Sequence, residues 1–394
     1  MSKTKTDMST TKKILIAVAV VLVVATLATS TLVAVYFNVK LKPSDFSPVA
    51  PVSGEGTGYY RHCYEELTDE EKAIYSVILS EIYNMPERIE IPALGTGNLD
   101  AIFGALSRDN PDLFCLGLNC TVYKEGLKTY FEPVYTMTLQ EYNTKLSQAK
   151  NRAAEIVEAT KQYTSVYEKE LYVHDYIINN CVYTEPTEKS DTNDIYGCLV
   201  EGKASCEGYS RSFQLIMNML DIDNRLVTGE SSEDGVNYIG HMWNYVILEG
   251  EGYFVDVTFD DPRSSEEVLR HTYFNVDTED ILVGHKIDKP VTLPLSTADK
   301  FNYHKYENAY FTTGAGEAFE TQVDSVVSSA MYRGYKCIEL RFSDPVLLEQ
   351  AKNTLFKDGV IYNIYTDVGL TDGGGSAQLY YSQNENMNTL CLFF

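Results

Sequence analysis

Three residues of this 394-residue chain have types and settings suited to nucleophilic chemistry: Cys206, His241 and Asp256. Cys206 stands in KASCEGYSRSFQLIMNML, residues 203–220, at the mouth of an amphipathic pattern. Tyr209, Phe213, Ile216, Met217 and Leu220 recur behind it at helical spacing, so the thiol shares the face that packs on the rest of its domain. Ser205 has the chemistry of an N-cap, which makes Cys206 the first helical residue. Unpaired N–H groups and the positive dipole end favour an anion there, and a thiolate is one. The competing reading is a buried, inert thiol, and a nearby base is what decides between them.

His241 opens GHMWNYV, and Asp256 follows in YFVDVTF on the next expected strand. In such a trio the imidazole takes the thiol proton and the carboxylate fixes its tautomer and orientation. The thiolate then attacks an amide carbonyl and expels an amine. The backbone N–H of Cys206 is a natural oxyanion donor. The Trp243 indole is a candidate second donor, against the plainer reading of a packing side chain. This chemistry requires no metal and no cofactor. The hairpin register poses a difficulty. A turn at Gly250–Glu251 sets Leu248 opposite Tyr253 and Asp256 opposite Tyr245. Asp256 then shares a sheet face with His241 but lies too far along a flat ladder to touch it, so a twist, a bulge or a frayed strand end is expected.

The elements that must position these residues follow from periodicity. Thr68 and Glu71 have capping-box spacing ahead of an apolar stripe at Ile74, Val77, Ile78 and Ile82. Residues 85–137 read as mixed and loop-rich. Helices are expected over Leu139–Lys161 and Glu168–Cys181. After the Cys206 helix the period changes from 3.6 to 2, and RLVTGE, HMWNYVIL and GYFVDVTF read as strands. Beyond residue 300, EAFETQVDSVVSSAM and PVLLEQAKNTLF read as helices. KCIELRFS, GVIYNIYT, AQLYYS and TLCLFF read as strands, and DGGGS at 372–376 as a turn. Among other polar residues, His174-Asp175 reads as structural and Asp260-Asp261-Pro262 as a turn, while His271 and His285 show no ligand spacing.

Taken together, GCLVEGKASCEGYS (197–210), RLVTGE and GHMWNYVILEGEGYFVDVTFDDP (240–262) resemble the transglutaminase-like superfamily. VHDYIINNCVY and HTYFNVDTED look like its exported bacterial members. The chain has HMWN in place of the commoner His-Ala-Trp-Asn, and TFDDP where Thr-Trp-Asp-Asp-Pro is frequent. The resemblance covers roughly 160–290. It implies an α+β, papain-like core with helices packed on an antiparallel sheet, and a triad in the order Cys206, His241, Asp256.

The whole chain adds its own constraints. The net charge of -24, from 32 basic and 56 acidic residues, disfavours nucleic acid as a partner. Residues Ile14 to Phe37 are uncharged and mostly apolar, long enough to span a bilayer core of ~30 Å. Lysines 3, 5, 12 and 13 precede the span, which places the N-terminus in the cytoplasm and the rest outside. The eight cysteines would permit disulfides in that setting, with pairings that spacing does not give. The expected organisation is a tail (1–13), a transmembrane helix (14–37), a linker (38–58), a mostly helical region (59–160), a catalytic core (161–295) and a small α/β unit (300–394). The expected activity is a cell-surface cysteine acyltransferase or hydrolase acting on protein or peptide amides. The alternative is a non-catalytic adhesion or assembly module on the same fold.

Overall fold

The computed structural model describes residues 60–93, 95, 97–187, 191–232, 234–261, 269–288, 293–369 and 380–394. The expected tail, membrane helix, linker and DGGGS turn lie outside these residues. Among the described residues, no helix is long and apolar enough to cross a membrane.

Helix α1 (Asp69–Ile82) opens with the expected capping box: the Thr68 side chain accepts from the Glu71 N–H, and the Glu71 carboxylate accepts from the Thr68 N–H. Strand β1 (Ile89–Ile91), helix α2 (Leu99–Asp109) and strands β2 (Leu116–Glu125) and β3 (Lys128–Tyr135) follow. The strands form an antiparallel sheet in the order β1-β3-β2. The segment expected to be loop-rich is therefore ordered. Thr129, Phe131 and Pro133 of β3 alternate inward, a period-2 signal that a short, partly polar strand carries weakly. Helix α3 (Leu139–Ala159) starts at a second capping box, Thr138 with Glu141. Helix α4 (Val166–Asn180) starts at a third, Ser165 with Glu168, two residues before the position that apolar periodicity suggested.

The middle of the chain builds the scaffold for Cys206 and His241. Strands β4 (Val182–Tyr183) and β5 (Lys203–Ala204) pair in parallel and lead into helix α5 (Cys206–Met219). Strands β6 (Asp223–Ser231), β7 (Ile239–Leu248) and β8 (Glu251–Val255) form an antiparallel meander. Two single-turn helices, α6 (Val257–Asp260) and α7 (Thr278–Ile281), precede strand β9 (His285–Ile287), and the sheet order is β8-β7-β6-β9. Helix α5 packs on β6 and β7, with Tyr209, Phe213, Ile216 and Met217 fully buried. The strand expected through GYFVDVTF stops at Val255, because the Asp256 side chain accepts from the N–H groups of Thr258 and Phe259 and turns the chain into α6.

The remaining described residues form strand β10 (Tyr310–Phe311), helix α8 (Glu317–Tyr332), strand β11 (Cys337–Phe342), helices α9 (Pro345–Lys352) and α10 (Val360–Asp367), and strands β12 (Tyr381–Asn384) and β13 (Thr389–Phe393). Their sheet runs β10-β11-β13-β12, with β10 parallel to β11 and the other pairs antiparallel. GVIYNIYT, expected as a strand, is helix α10. Its β-branched and aromatic residues suggest a strand by propensity, but the buried ones are Ile361, Ile364 and Tyr365, at helical spacing. One apolar cluster runs from Ile156 and Phe213 through Phe274 to Phe319, Leu340 and Leu390, so the core is continuous across residue 300. A second cluster lies under the N-terminal sheet, and a third surrounds Trp243.

Candidate active site

Helix α5 begins where expected, but its first turn differs from a simple serine cap. Ser205 is extended, its N–H donates to the Thr192 carbonyl at 2.8 Å, and its hydroxyl donates to Asn193 Oδ1 at 2.6 Å. The Ser205 side chain does not cap α5, so the first N–H groups of the helix are left without that acceptor. Gly208 lets this turn approach the preceding loop: a Cβ there would lie 2.4 Å from the Thr192 carbonyl oxygen. The far side of the helix is pinned to α2, with Arg211 Nη1 donating to the Ser107 carbonyl at 2.8 Å and Gln214 Nε2 to that of Arg108 at 2.9 Å. The near side is pinned to β7. Ser210 Oγ donates to the Met242 carbonyl at 2.8 Å, and Asn244 Nδ2 donates to the Ser210 carbonyl at 3.1 Å. These two bonds set the spacing between the thiol and the histidine strand. Cys206 itself is half-buried, whereas six of the other seven thiols are buried and all eight are free.

His241 and Asp256 meet by a register two residues from the one expected. The turn is Glu249–Gly250, both at positive φ (52° and 86°), and Leu248 pairs with Glu251. Tyr245 pairs with Phe254 and Asn244 with Val255, so continuing the ladder puts Asp256 beside Trp243, one diagonal step from His241. A two-residue shift keeps Asp256 on the same face, so the parity expected from the sequence holds while the reach changes. His241 Nε2 lies 2.7 Å from Asp256 Oδ2, and both residues are buried. The Cys206 sulfur is among the groups close enough to act on the same imidazole and favours its charged form. With Nε2 facing Asp256, Nδ1 is the nitrogen left for sulfur. His241 and Asp256 are therefore paired with no bulge needed in β7 or β8.

Electrostatics follow from this packing. Burial by itself lowers the basicity of His241, but the charge and hydrogen bond of Asp256, with the Cys206 contact, outweigh it and raise the imidazole to about 9. Burial works against ionised Asp256, yet the His241 charge and hydrogen bonds from His241 and His285 hold it well below the usual carboxylate range. The His241 ring stacks on Trp243 at 5.8 Å between centroids and meets Phe259 edge-on at 5.1 Å. Trp243 is fully enclosed, and its Nε1–H has no acceptor among the described residues.

Sequence reasoning missed two contributors. Asn244, which ties β7 to α5, was visible in HMWN only as a motif letter. His285 was set aside, yet its Nε2 lies 2.8 Å from the same Oδ2 of Asp256, and its Nδ1 lies 3.1 Å from the Ile281 carbonyl oxygen. No local pattern marks His285, because β9 reaches the site by pairing with the far strand β6.

A second buried network lies behind the first. His174 Nδ1 is 3.1 Å from Asp175 Oδ1 and its Nε2 is 3.2 Å from Asp260 Oδ2, while His271 Nε2 is 2.8 Å from Asp175 Oδ1. Asp260 also accepts from the Tyr273 N–H, and Asp261 accepts from the Tyr209 hydroxyl. The Asp-Asp pair expected as a plain turn thus anchors three elements. Burial disfavours the His174 cation, but its two carboxylate partners raise it to about 9. The trios His174, Asp175, His271 and His241, Asp256, His285 each gather their polar atoms within 4.8 Å, as a metal site would. In both, imidazole and carboxylate atoms pair with one another as hydrogen-bond donors and acceptors, which accounts for their convergence.

Residues 150–257 match the transglutaminase-like superfamily. No curated protein matches the chain. Among solved structures it is similar to a TGase at 14% identity and a TM-score of 0.26, covering 45% of this chain and 52% of that one. It is also similar to a candidate cysteine protease from Cytophaga hutchinsonii, at 12% identity and a TM-score of 0.26, covering 47% and 80%. A candidate protease from Parabacteroides distasonis is similar at 10% identity and a TM-score of 0.23, covering 34% and 35%. The chain thus spans about half the length of the TGase. The segment 150–257, which holds Cys206, His241 and the start of α6 after Asp256, carries a transglutaminase-like domain.

Proposed function

We propose that this protein is a cysteine acyl-transfer enzyme in which Cys206 is the nucleophile, His241 the general base and acid, and Asp256 the residue that orients His241. The observation that carries this reading is a buried imidazole 2.7 Å from a buried carboxylate, with the half-buried Cys206 thiol at a helix start among the groups that act on that imidazole. His241 takes the thiol proton and the sulfur attacks an amide carbonyl of a protein or peptide. A C–S bond forms, the C–N bond breaks, and the amine leaves with the proton held by His241. Water or a primary amine then attacks the thioester, returning a proton through His241 and freeing the thiol. The N–H of Cys206 has no partner within its helix and faces the developing oxyanion. Trp243 serves as the plate on which His241 stacks, and its full enclosure keeps the indole N–H from the surface where a substrate oxygen would lie. The apolar run 14–37 supports anchoring in the membrane with the catalytic part outside the cell.

The test is incubation of the full chain with a glutamine-containing protein and a fluorescent primary amine, beside Cys206→Ala. Incorporation lost in the variant identifies transfer, and ammonia or new termini without incorporation identify hydrolysis. Cys206→Ala behaving like wild type in all three readouts sinks the proposal. A non-catalytic surface module would then lead.

A further inference from the structure

His285 is fully enclosed, and the contacts on its two nitrogens restrict its protonation. Nδ1 lies 3.1 Å from the Ile281 carbonyl oxygen, which can only accept, so Nδ1 must carry a proton for that contact to be attractive. Nε2 lies 2.8 Å from Asp256 Oδ2. Oδ1 of the same carboxylate accepts N–H bonds from Thr258 and Phe259, both at 3.0 Å, and Oδ2 also meets His241 at 2.7 Å. A carboxylate with four such neighbours is favoured as the anion. Nε2 must then also carry a proton. Both contacts are attractive together only if the ring is an imidazolium.

We propose that His285 is a fourth, positioning member of the site: an imidazolium that clamps the shared oxygen of Asp256 and thereby limits how firmly that carboxylate holds the proton on His241. With a second cation on Oδ2, the anion is divided between two rings rather than committed to one. A less firmly held proton is easier for His241 to pass to a leaving amine. The ring is fixed for this task. His241, Trp243, Phe259 and Tyr273 surround it at centroid distances of 5.6, 4.9, 4.8 and 5.3 Å. The titratable groups facing it are Asp256 and His241 from the β7–β8 side and Tyr273 from the segment before α7. The other nearby charges pair elsewhere: Lys286 with Glu230 at 3.8 Å on the exposed side, and Asp280 of α7 with Arg341.

The protonation state stands on geometry alone, while the effect on proton transfer rests on the function proposed above. The experiment is imidazole ¹⁵N NMR on the labelled full chain in detergent at neutral pH, with His285→Asn used to assign the ring. The expected spectrum places both His285 nitrogens at the imidazolium position. A neutral-tautomer pattern overturns the proposal. The second measurement is the His241 titration midpoint, which should move to higher pH in His285→Asn because a neighbouring cation is gone. An unmoved midpoint in a folded variant also overturns it. If the variant does not fold, the wild-type spectrum still decides, with ring assignment by selective labelling. Failure of the Cys206→Ala assay would remove the enzyme reading but leave this protonation result standing.

Discussion

Asp256 carries more of the site than its place in a triad suggests, because one carboxylate orients His241, meets His285 and caps α6. Asp256→Asn keeps the shape but presents an NH2 to at least one of these partners. It should lower amine incorporation or hydrolysis by on the order of 10³–10⁴, measured as initial rate, because His241 is then held in the wrong tautomer. Thiol selectivity is a second consequence at this scale. Cys120 is the other thiol that is not buried, and desolvation pushes it up, so iodoacetamide at neutral pH should modify Cys206 first. His241→Ala should slow that modification toward the rate of an unfolded thiol, and mass spectrometry of the labelled peptide reads both outcomes. The pH dependence of stability can also be signed. His241 and His174 rise from an ordinary 6.5 to about 9 on folding. Their protons therefore stabilise the fold fully below 6.5, and that contribution is lost as pH rises through about 9. Asp175 falls to about 2, and Asp256 is also lowered, so their contribution is present above the ordinary carboxylate range and lost in strong acid. The thermal midpoint should thus fall between pH 6.5 and 9, with a shallower slope in His174→Gln.

Between elements, the critical dimension is the gap between α5 and β7. Ser210 and Asn244 bridge it in both directions, and Asn244 is fully enclosed. Asn244→Ala leaves the Ser210 carbonyl without that donor and should cost about 1–3 kcal/mol in chemical denaturation. It should also slow Cys206 alkylation, a readout that a purely structural loss elsewhere would not move. Gly229 is a second point of contact. A Cβ there would lie 1.9 Å from the Lys286 carbonyl oxygen and 2.8 Å from Trp243 Cη2. Gly229→Ala must therefore push β9 away from β6, taking His285 with it, and should destabilise the protein by about 2–4 kcal/mol. Some of this was legible beforehand. The Thr68 capping box, the start of α5 and the period change after it all follow from nearest-neighbour chemistry. The end of β8 did not, because a capping aspartate looks like any strand residue until its side chain is seen accepting from the next two N–H groups. Helix α10 was misread for a related reason: β-branched residues outweighed a helical burial pattern that shows only against a partner surface.

At the scale of the molecule, aromatic stacking and buried hydrogen bonds join the segment after α6 to the C-terminal part of the chain. His271 stacks on Tyr303 at 3.9 Å, and the His271 N–H and Thr272 hydroxyl donate to Glu339 of β11. If the run 14–37 anchors the chain as proposed, removing residues 1–58 should move the protein from the membrane to the soluble fraction on centrifugation, with Cys206 alkylation unchanged. Retention of the truncated protein in the membrane would count against that anchor. The shared face of His241 and Asp256 and the helix start at Cys206 were readable from residue type and period, because those properties depend only on neighbours along the chain. The two-residue choice of hairpin register, the joining of α5 to β7 and the arrival of His285 on Asp256 were decided by packing. They depend on which distant surfaces meet, and no local periodicity records that.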